Sequence, residues 1–314
     1  MSRVPLVSVV TPSFNQAQFL EETMRSVLDQ DYPRIEYIVV DGGSTDGSVD
    51  VIRRYADRLA YWVSENDRGQ ADAINKGWSR VTGDIVAFLN SDDYYLPGAI
   101  SRVVEAFREH PAAGLVSGQG AWVSESGEWI QRTRWQIGED ERYEPFNLYR
   151  VTALPQPAAF VRRRVIEEVG MLDPSFHFGL DGEFFLRVLG NFPALSLPET
   201  IACMRLHRDA KSVASGVGFA PDILRIARKI VENPERYPRF DVVPDEIMAA
   251  AHILSARSCY MGGAFGAAVG RLAESARVSG AFRSLIIRRE FPRLLGRMLL
   301  GKRRYLQLSG FLNR

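Results

Sequence analysis

Cysteine is almost missing: Cys203 and Cys259 are the only two in 314 residues. Two thiols build neither a disulfide framework nor a four-thiolate metal site, and such sparse use suits a reducing compartment. An excess of charge is also missing. Thirty-nine Lys and Arg against 38 Asp and Glu leave a formal net charge of +1, so nucleic acid is not an expected partner. The first ten residues hold a single Arg and a short apolar run, without the regions of a secretory signal, and a cytoplasmic location is expected. Two nucleotide signatures are lacking. No G-x-G-x-x-G follows the first apolar run and no G-x-x-x-x-G-K-[ST] occurs anywhere, so neither a dinucleotide fold nor a P-loop is supported.

What is present is ordinary globular material: 46% hydrophobic and 25% charged residues, which excludes a disordered chain, a collagen and a polytopic membrane protein. The length suits about two domains with a large core. Apolar runs at Leu6–Val10, Ile35–Val40, Ala60–Val63 and Ile85–Leu89 read as strands. They alternate with helical spacings that include Phe19, Leu20, Met24, Val27 and Leu28, then Val49, Ile52 and Tyr55, then 70–80. This alternation predicts a parallel sheet covered on both faces. Further on, 114–123, 128–134, 158–161 and 200–205 read as extended, and 164–169 and 182–189 as helical. Beyond Pro221 the pattern is helical. Pro234, Pro238 and Pro244 mark a connector, and an antiparallel pair over 247–260 and 265–278 turns at Met-Gly-Gly.

Right-handed crossovers bring the carboxyl ends of all parallel strands to one sheet edge, where ligands bind. The polar residues gather there: Thr11-Pro12-Ser13-Phe14-Asn15, then Asp41 with Gly42 and Gly43, then Ser64-Glu-Asn-Asp-Arg68, then Asn90-Ser91-Asp92-Asp93. The last cluster has two readings. Oxygens crowded at a strand end suit Mg²⁺ or Mn²⁺ completed by phosphate oxygens, and equally suit a turn that caps the next helix. Asp46 reads as a helix cap.

Five stretches, in this order, are VSVVTPSFNQAQFLEETMRSVLDQDYPRIEYIVVDGGSTDGS, SENDRGQADAINKGW, TGDIVAFLNSDDYYLPGAI, QPAAFVRRRVIEEVG and GLDGEFFLRV. Residues 6 to about 210 thereby resemble glycosyltransferase family 2, within it the enzymes that build bacterial surface polysaccharides. The resemblance implies an α/β GT-A fold, a Rossmann-like mixed sheet flanked by helices. Residues 1–220 would form the catalytic domain, with a nucleotide half 1–112 and an acceptor half 113–220, and 221–314 a helical extension. It also implies an inverting transfer from a nucleotide-sugar donor, UDP-linked by preference, to a hydroxyl of a glycan or lipid-linked acceptor. Thr11, Pro12, Ser13, Asn15, Asp41, Gly42, Gly43, Asp72, Asn75, Asn90 and Ser91 would line the nucleotide. Asp41 would accept a uracil imide N–H, its alternative being a turn residue.

The family's Asp-x-Asp metal motif stands here as Asn90-Ser91-Asp92, with one charge fewer. Asp92 is the expected ligand to Mn²⁺ or Mg²⁺, and Asp93 either orients it or meets the acceptor. Asp181, in Leu180-Asp-Gly-Glu-Phe-Phe-Leu-Arg187, matches the catalytic base, with Leu180 where the family has Glu. A helix cap is its alternative. Glu183, Gln156 and Pro157 fall where sugar or acceptor would lie. His207, in an R-x-H segment with Arg205, is either a second metal ligand or structural.

Residues 280–314 carry nine Lys or Arg and one Glu, net +8, which leaves −7 for the rest. Leu285, Ile286, Phe291, Leu294, Leu295, Met298 and Leu299 interleave with these charges as in an interfacial helix on anionic lipid. A helix packed on the body or a subunit contact is the alternative. A nucleotidyltransferase and a non-catalytic nucleotide-sugar binder stay open as rival functions, and the oligomeric state is left undetermined.

Overall fold

The computed structural model describes residues 4–137, 154–211, 216–278, 291–296 and 298. They divide into two compact units. The first takes in the described residues up to 137 with 154–207, and the second those from 208 on. The division falls after His207, ahead of the boundary expected at 220.

In the first unit β1 (Val7–Ser13), β2 (Ile35–Asp41), β3 (Tyr61–Ser64) and β4 (Ile85–Phe88) alternate with α1 (Ala17–Leu28), α2 (Ser48–Arg54) and α3 (Gln70–Trp78). Then come β5 (Tyr94–Tyr95), α4 (Ala99–Glu109), β6 (Leu115–Val123), β7 (Trp129–Arg132), β8 (Ala159–Arg162), α5 (Arg163–Val169), α6 (Leu180–Asn191) and β9 (Ala194–Arg205). Among the described residues these strands form one sheet in the order β3-β2-β1-β4-β8-β6-β9-β5, with β7 beside β6. β3, β2, β1 and β4 are parallel, β8 runs against both β4 and β6, and β9 is parallel to β6. The sheet is therefore mixed, as expected. β1 is buried along its whole length because helices cover both faces, and this is why it reads as an unbroken apolar run. Val7, Val9, Leu20, Met24, Val27, Val39 and Ile100 belong to one buried cluster. Gly77 lets α3 lie against β1, since a Cβ there would meet Val10 Cγ1 at 2.3 Å.

The order 3-2-1-4 makes β1/β4 the point where the chain switches direction across the sheet, the place where such folds open a crevice. Pro12 marks it. The Val10 carbonyl faces β4 and accepts from Leu89, and the Ser13 carbonyl faces β2 and accepts from Gly42. Pro12 shares the side of Val10, but pairing with β4 has ended at Val10–Phe88. A residue without an N–H costs no ladder bond there.

The second unit contains α7 (Phe219–Glu232), α8 (Pro244–Met261) and α9 (Phe265–Arg277). Pro244 sits in the first turn of α8, where its missing donor is harmless. Ala249, Ile253 and Ala256 of α8, Leu272 of α9 and Leu294 form a small core, with Phe291 and Met298 packed against it. Three residues assigned above to a lipid-facing set thus pack on helices of their own unit, while Leu295 is exposed. The rest of that apolar set, Leu285, Ile286 and Leu299, lies outside the described residues. No helix among the described residues is long and apolar enough to cross a membrane.

Candidate active site

The turn after β4 is held from three directions. Thr23 Oγ1 of α1 lies 2.9 and 2.7 Å from the Ser91 and Asp93 carbonyl oxygens. From β9, the backbone N–H of Arg205 donates to Asp93 Oδ1 at 3.0 Å and its Nε to the Asp92 carbonyl at 3.2 Å. The same buried guanidinium pairs with Glu22, donates to the Glu125 carbonyl and lies over the Phe19 and Tyr94 rings. The third hold is a run of amides. Gln156 Nε2 donates to the Phe88 carbonyl at 2.8 Å, which can only accept, so Gln156 Oε1 must face Asn90. Asn90 Nδ2 donates to it at 3.0 Å and to Asp93 Oδ2 at 3.3 Å, and Asn90 Oδ1 accepts from Gln70 at 2.7 Å. An Asp at 90 would set a carboxylate against Gln156 Oε1 and Asp93, so this hydrogen-bond polarity favours Asn.

These holds leave Asp92 pointing elsewhere. Its Oδ2 lies 2.9 Å from Nε2 of His207, a side chain only 1% exposed, while Asp92 keeps 20%. The His207 ring rests on Phe19, and its Nδ1 is buried with no partner among the described residues. The two residues are far apart in sequence and meet because β9 delivers His207 beside the end of β4. One carboxylate and one imidazole at this separation suit adjacent positions on a single hard or borderline cation. Among the described residues no group of three or more His, Cys, Asp or Glu could hold a metal. A cation here would thus need oxygens from a bound phosphate or water, the usual pattern for Mg²⁺-type sites.

Other expected site residues are engaged internally. The Thr11 hydroxyl bonds Tyr37 at 2.9 Å inside the sheet. Asp41 is fully buried, and both its oxygens are occupied. Gly43 N, Ser44 N and Ser64 Oγ donate to Oδ2 at 3.1, 2.9 and 2.7 Å, and Ser44 Oγ to Oδ1 at 2.5 Å. Three of these four donors crowd Oδ2 and one meets Oδ1, so the carboxylate ties its own loop to the end of β3. Asn15, at φ +51°, ties the first loop to the second through Ser44 Oγ and the Thr45 N–H. Gly43, at φ +83°, lets the loops after β2 and β3 touch, since a Cβ would meet Asn66 Oδ1 at 2.5 Å. Gly42 lies as close to Asp67. Ser13 Oγ, at the end of β1, is buried without a partner among the described residues.

Asp72 pairs with Arg68 at 2.9 Å, and that bond lowers its pKa. Asn75 donates to the Leu172 carbonyl at 2.9 Å and accepts from the Leu172 N–H at 3.1 Å, a backbone clamp where a nucleotide ligand was expected. Glu183 is 1% exposed and takes Arg187 Nε and Nη2 at 3.0 and 2.9 Å, an internal ion pair. Gln156, Pro157 and Asp93 are buried. Burial, and then the neighbouring Asp92, push the Asp93 carboxyl well above its ordinary range. Asp181 is half-buried at the start of α6, where the helix dipole favours an ionised carboxylate. Gln70, Glu22, Thr23 and Phe19 were not anticipated, and only Arg205 had a signal, its place in R-x-H.

The family model described as glycosyl transferase family 2 matches residues 8–170. An uncharacterized glycosyltransferase of Mycobacterium tuberculosis is 34% identical over 221 residues, 68% of this chain and 79% of its own. Among solved structures, S. aureus TarS 1–349 in complex with UDP superposes with a TM-score of 0.59 at 17% identity, over 94% of this chain and 80% of that one. The mannosyltransferase PcManGT of Pyrobaculum calidifontis, in complex with GDP-Man and Mn²⁺, gives 0.62 at 21% identity, over 96% and 89%. These likenesses identify the fold as GT-A.

Proposed function

The chain belongs to glycosyl transferase family 2, and from that premise we propose that it moves a sugar from a nucleoside-diphosphate donor, UDP-linked by preference, to a hydroxyl of a glycan or lipid-linked acceptor, with inversion. The observation that carries this reading is the Asp92–His207 pair at the β1/β4 switch point. Asp92 and His207 would hold Mn²⁺ or Mg²⁺, which supplies positive charge against the departing diphosphate. The loops 11–15, 41–44 and 90–93 would form the nucleotide's walls, with Thr11, Pro12 and Asp41 shaping them from behind.

Asp181 is the base. Inverting displacement needs one carboxylate to take the acceptor proton as the new bond forms, so Asp181 must be ionised when the acceptor arrives. The N-terminal end of α6 favours that state. A lipid-linked acceptor would bring the basic stretch 280–314 to the face of an anionic membrane. This suits a bacterial polysaccharide pathway working from the cytoplasmic side.

The test is a thermal-shift panel of UDP, GDP, dTDP and CDP with and without Mn²⁺, followed by turnover of the matching nucleotide sugars. Ligand well above its Kd stabilises by a few kcal/mol. Asp181→Asn should keep the metal-dependent shift and lose transfer. Turnover near wild type would remove Asp181 from the role. Release of pyrophosphate instead of nucleoside diphosphate would make the protein a nucleotidyltransferase, and nucleotide binding without turnover a binder only.

A further inference from the structure

We propose that Asn75 is a positioning residue for the base at Asp181, and that α3 is the strut linking the donor turn to the base-bearing segment. The inference rests on the role proposed for Asp181. Two side chains of α3 point to different parts of the site. Gln70, in its first turn, donates to Asn90 of the turn after β4. Asn75 grips the backbone of Leu172 with both ends of its amide, and only one amide orientation satisfies a carbonyl and an N–H of the same residue.

Leu172 opens the segment that runs to Asp181. Leu172, Phe176 and Leu180 are buried along it. Asp173 closes a turn between them, accepting from the Ser175 N–H and hydroxyl, and its carbonyl from the Phe176 N–H. Arg187 of α6 holds the residues just before, donating to the Val169, Gly170 and Met171 carbonyls while paired with Glu183. The 169–172 backbone is therefore gripped on one side by α6 and on the other by α3. With Asn75 in place, the base-bearing segment is fixed to the same helix as the donor turn. Without it, that tie between the segment and α3 is lost. A carboxylate that must meet an acceptor proton within hydrogen-bond reach loses rate steeply when displaced by a fraction of an ångström to an ångström.

The experiment compares wild type, Asn75→Ala, Asn75→Asp, Asp181→Asn and a core control, Val27→Ala. Release of nucleoside diphosphate is followed from UDP-GlcNAc, UDP-glucose, GDP-mannose and dTDP-glucose with water as acceptor, with thermal shifts for UDP, GDP and dTDP and amide exchange across 169–181. For Asn75→Ala the expected result is faster exchange confined to 172–181, nucleotide affinity within about twofold of wild type, and kcat lower by about tenfold with donor KM unchanged. Val27→Ala should lose stability and keep kcat. Asn75→Asp keeps the acceptor for the Leu172 N–H and sets an oxygen against its carbonyl, so it should show the same split and serves if the Ala variant does not fold. A fall in nucleotide affinity at constant kcat would make Asn75 a nucleotide ligand and overturn the proposal, as would wild-type kcat. If Asp181→Asn is as active as wild type, or wild type releases nothing, the base assignment fails and this inference with it. If Asp181→Asn is inactive and Asn75→Ala normal, only the inference fails.

Discussion

Asp41 and Asp92 stand on the same sheet edge, one the last residue of β2 and the other four residues past the end of β4, yet their surroundings are opposite. Asp41 is enclosed by four donors from its own and the next loop. Asp92 has its backbone fixed by Arg205 and its carboxylate turned to a single imidazole, whose other nitrogen is buried without a partner among the described residues. Native folds rarely leave buried polar atoms unpaired. The contrast separates an acid wrapped by backbone and hydroxyl donors from one whose carboxylate meets an imidazole. What distinguishes them is how many local donors the carboxylate already has, not the motif around it.

The largest effect is expected from Asp92→Ala. It should abolish the metal-dependent shift with nucleotide and cost about 10²-fold or more in transfer, while unliganded stability changes by less than about 1 kcal/mol. Thermal unfolding with and without UDP and Mn²⁺ checks both. Unchanged metal dependence would move the cation site away from Asp92.

Asp41→Asn should do the reverse. Turning one oxygen into an NH₂ that faces donors strands part of a buried network, at roughly 2–3 kcal/mol. Denaturant unfolding should report that loss, and the nucleotide shift should persist at low temperature. Loss of UDP binding with stability intact would make Asp41 a base-reading residue after all.

The smallest effect is at Asp46, an exposed acid in the same loop. Burial raises its pKa, but bonds from Ser48 and the Ala17 N–H outweigh this, and the net shift is below the ordinary 3.8. A depressed folded pKa gives stability that is complete above the ordinary value and is lost as pH falls through the folded one. Asp46→Asn should therefore cost under about 1 kcal/mol at neutral pH, given its exposure. Its Tm difference from wild type should shrink below about pH 4. A difference that stays constant with pH would mean that hydrogen-bond geometry, not charge, sets the effect.

Much of this was legible beforehand. β1, β2 and β4 announce themselves because strands buried on both faces need continuous apolar runs. β3, shorter and only half-buried, has the same signature. The two-residue β5 and the first half of β9 do not, since two residues carry no period and 194–199 alternates irregularly. Asp92 and His207 were named singly, but their pairing depends on β9 running beside β6 to the end of β4. Asn75 and Glu183 have the right chemistry for ligands, and their spacing gave no sign that a backbone amide and a guanidinium already occupy them.

The order of residues along the chain is enough to specify the family, the alternation that builds the parallel half of the sheet, and the edge where polar residues gather. Those depend on local period and on short motifs that survive in order along the chain. Which of the gathered groups remain available, and which are spent on the fold, was decided only by tertiary structure. A hydrogen bond is made between atoms brought together from distant segments, and a carboxylate reads the same in sequence whether four donors surround it or one.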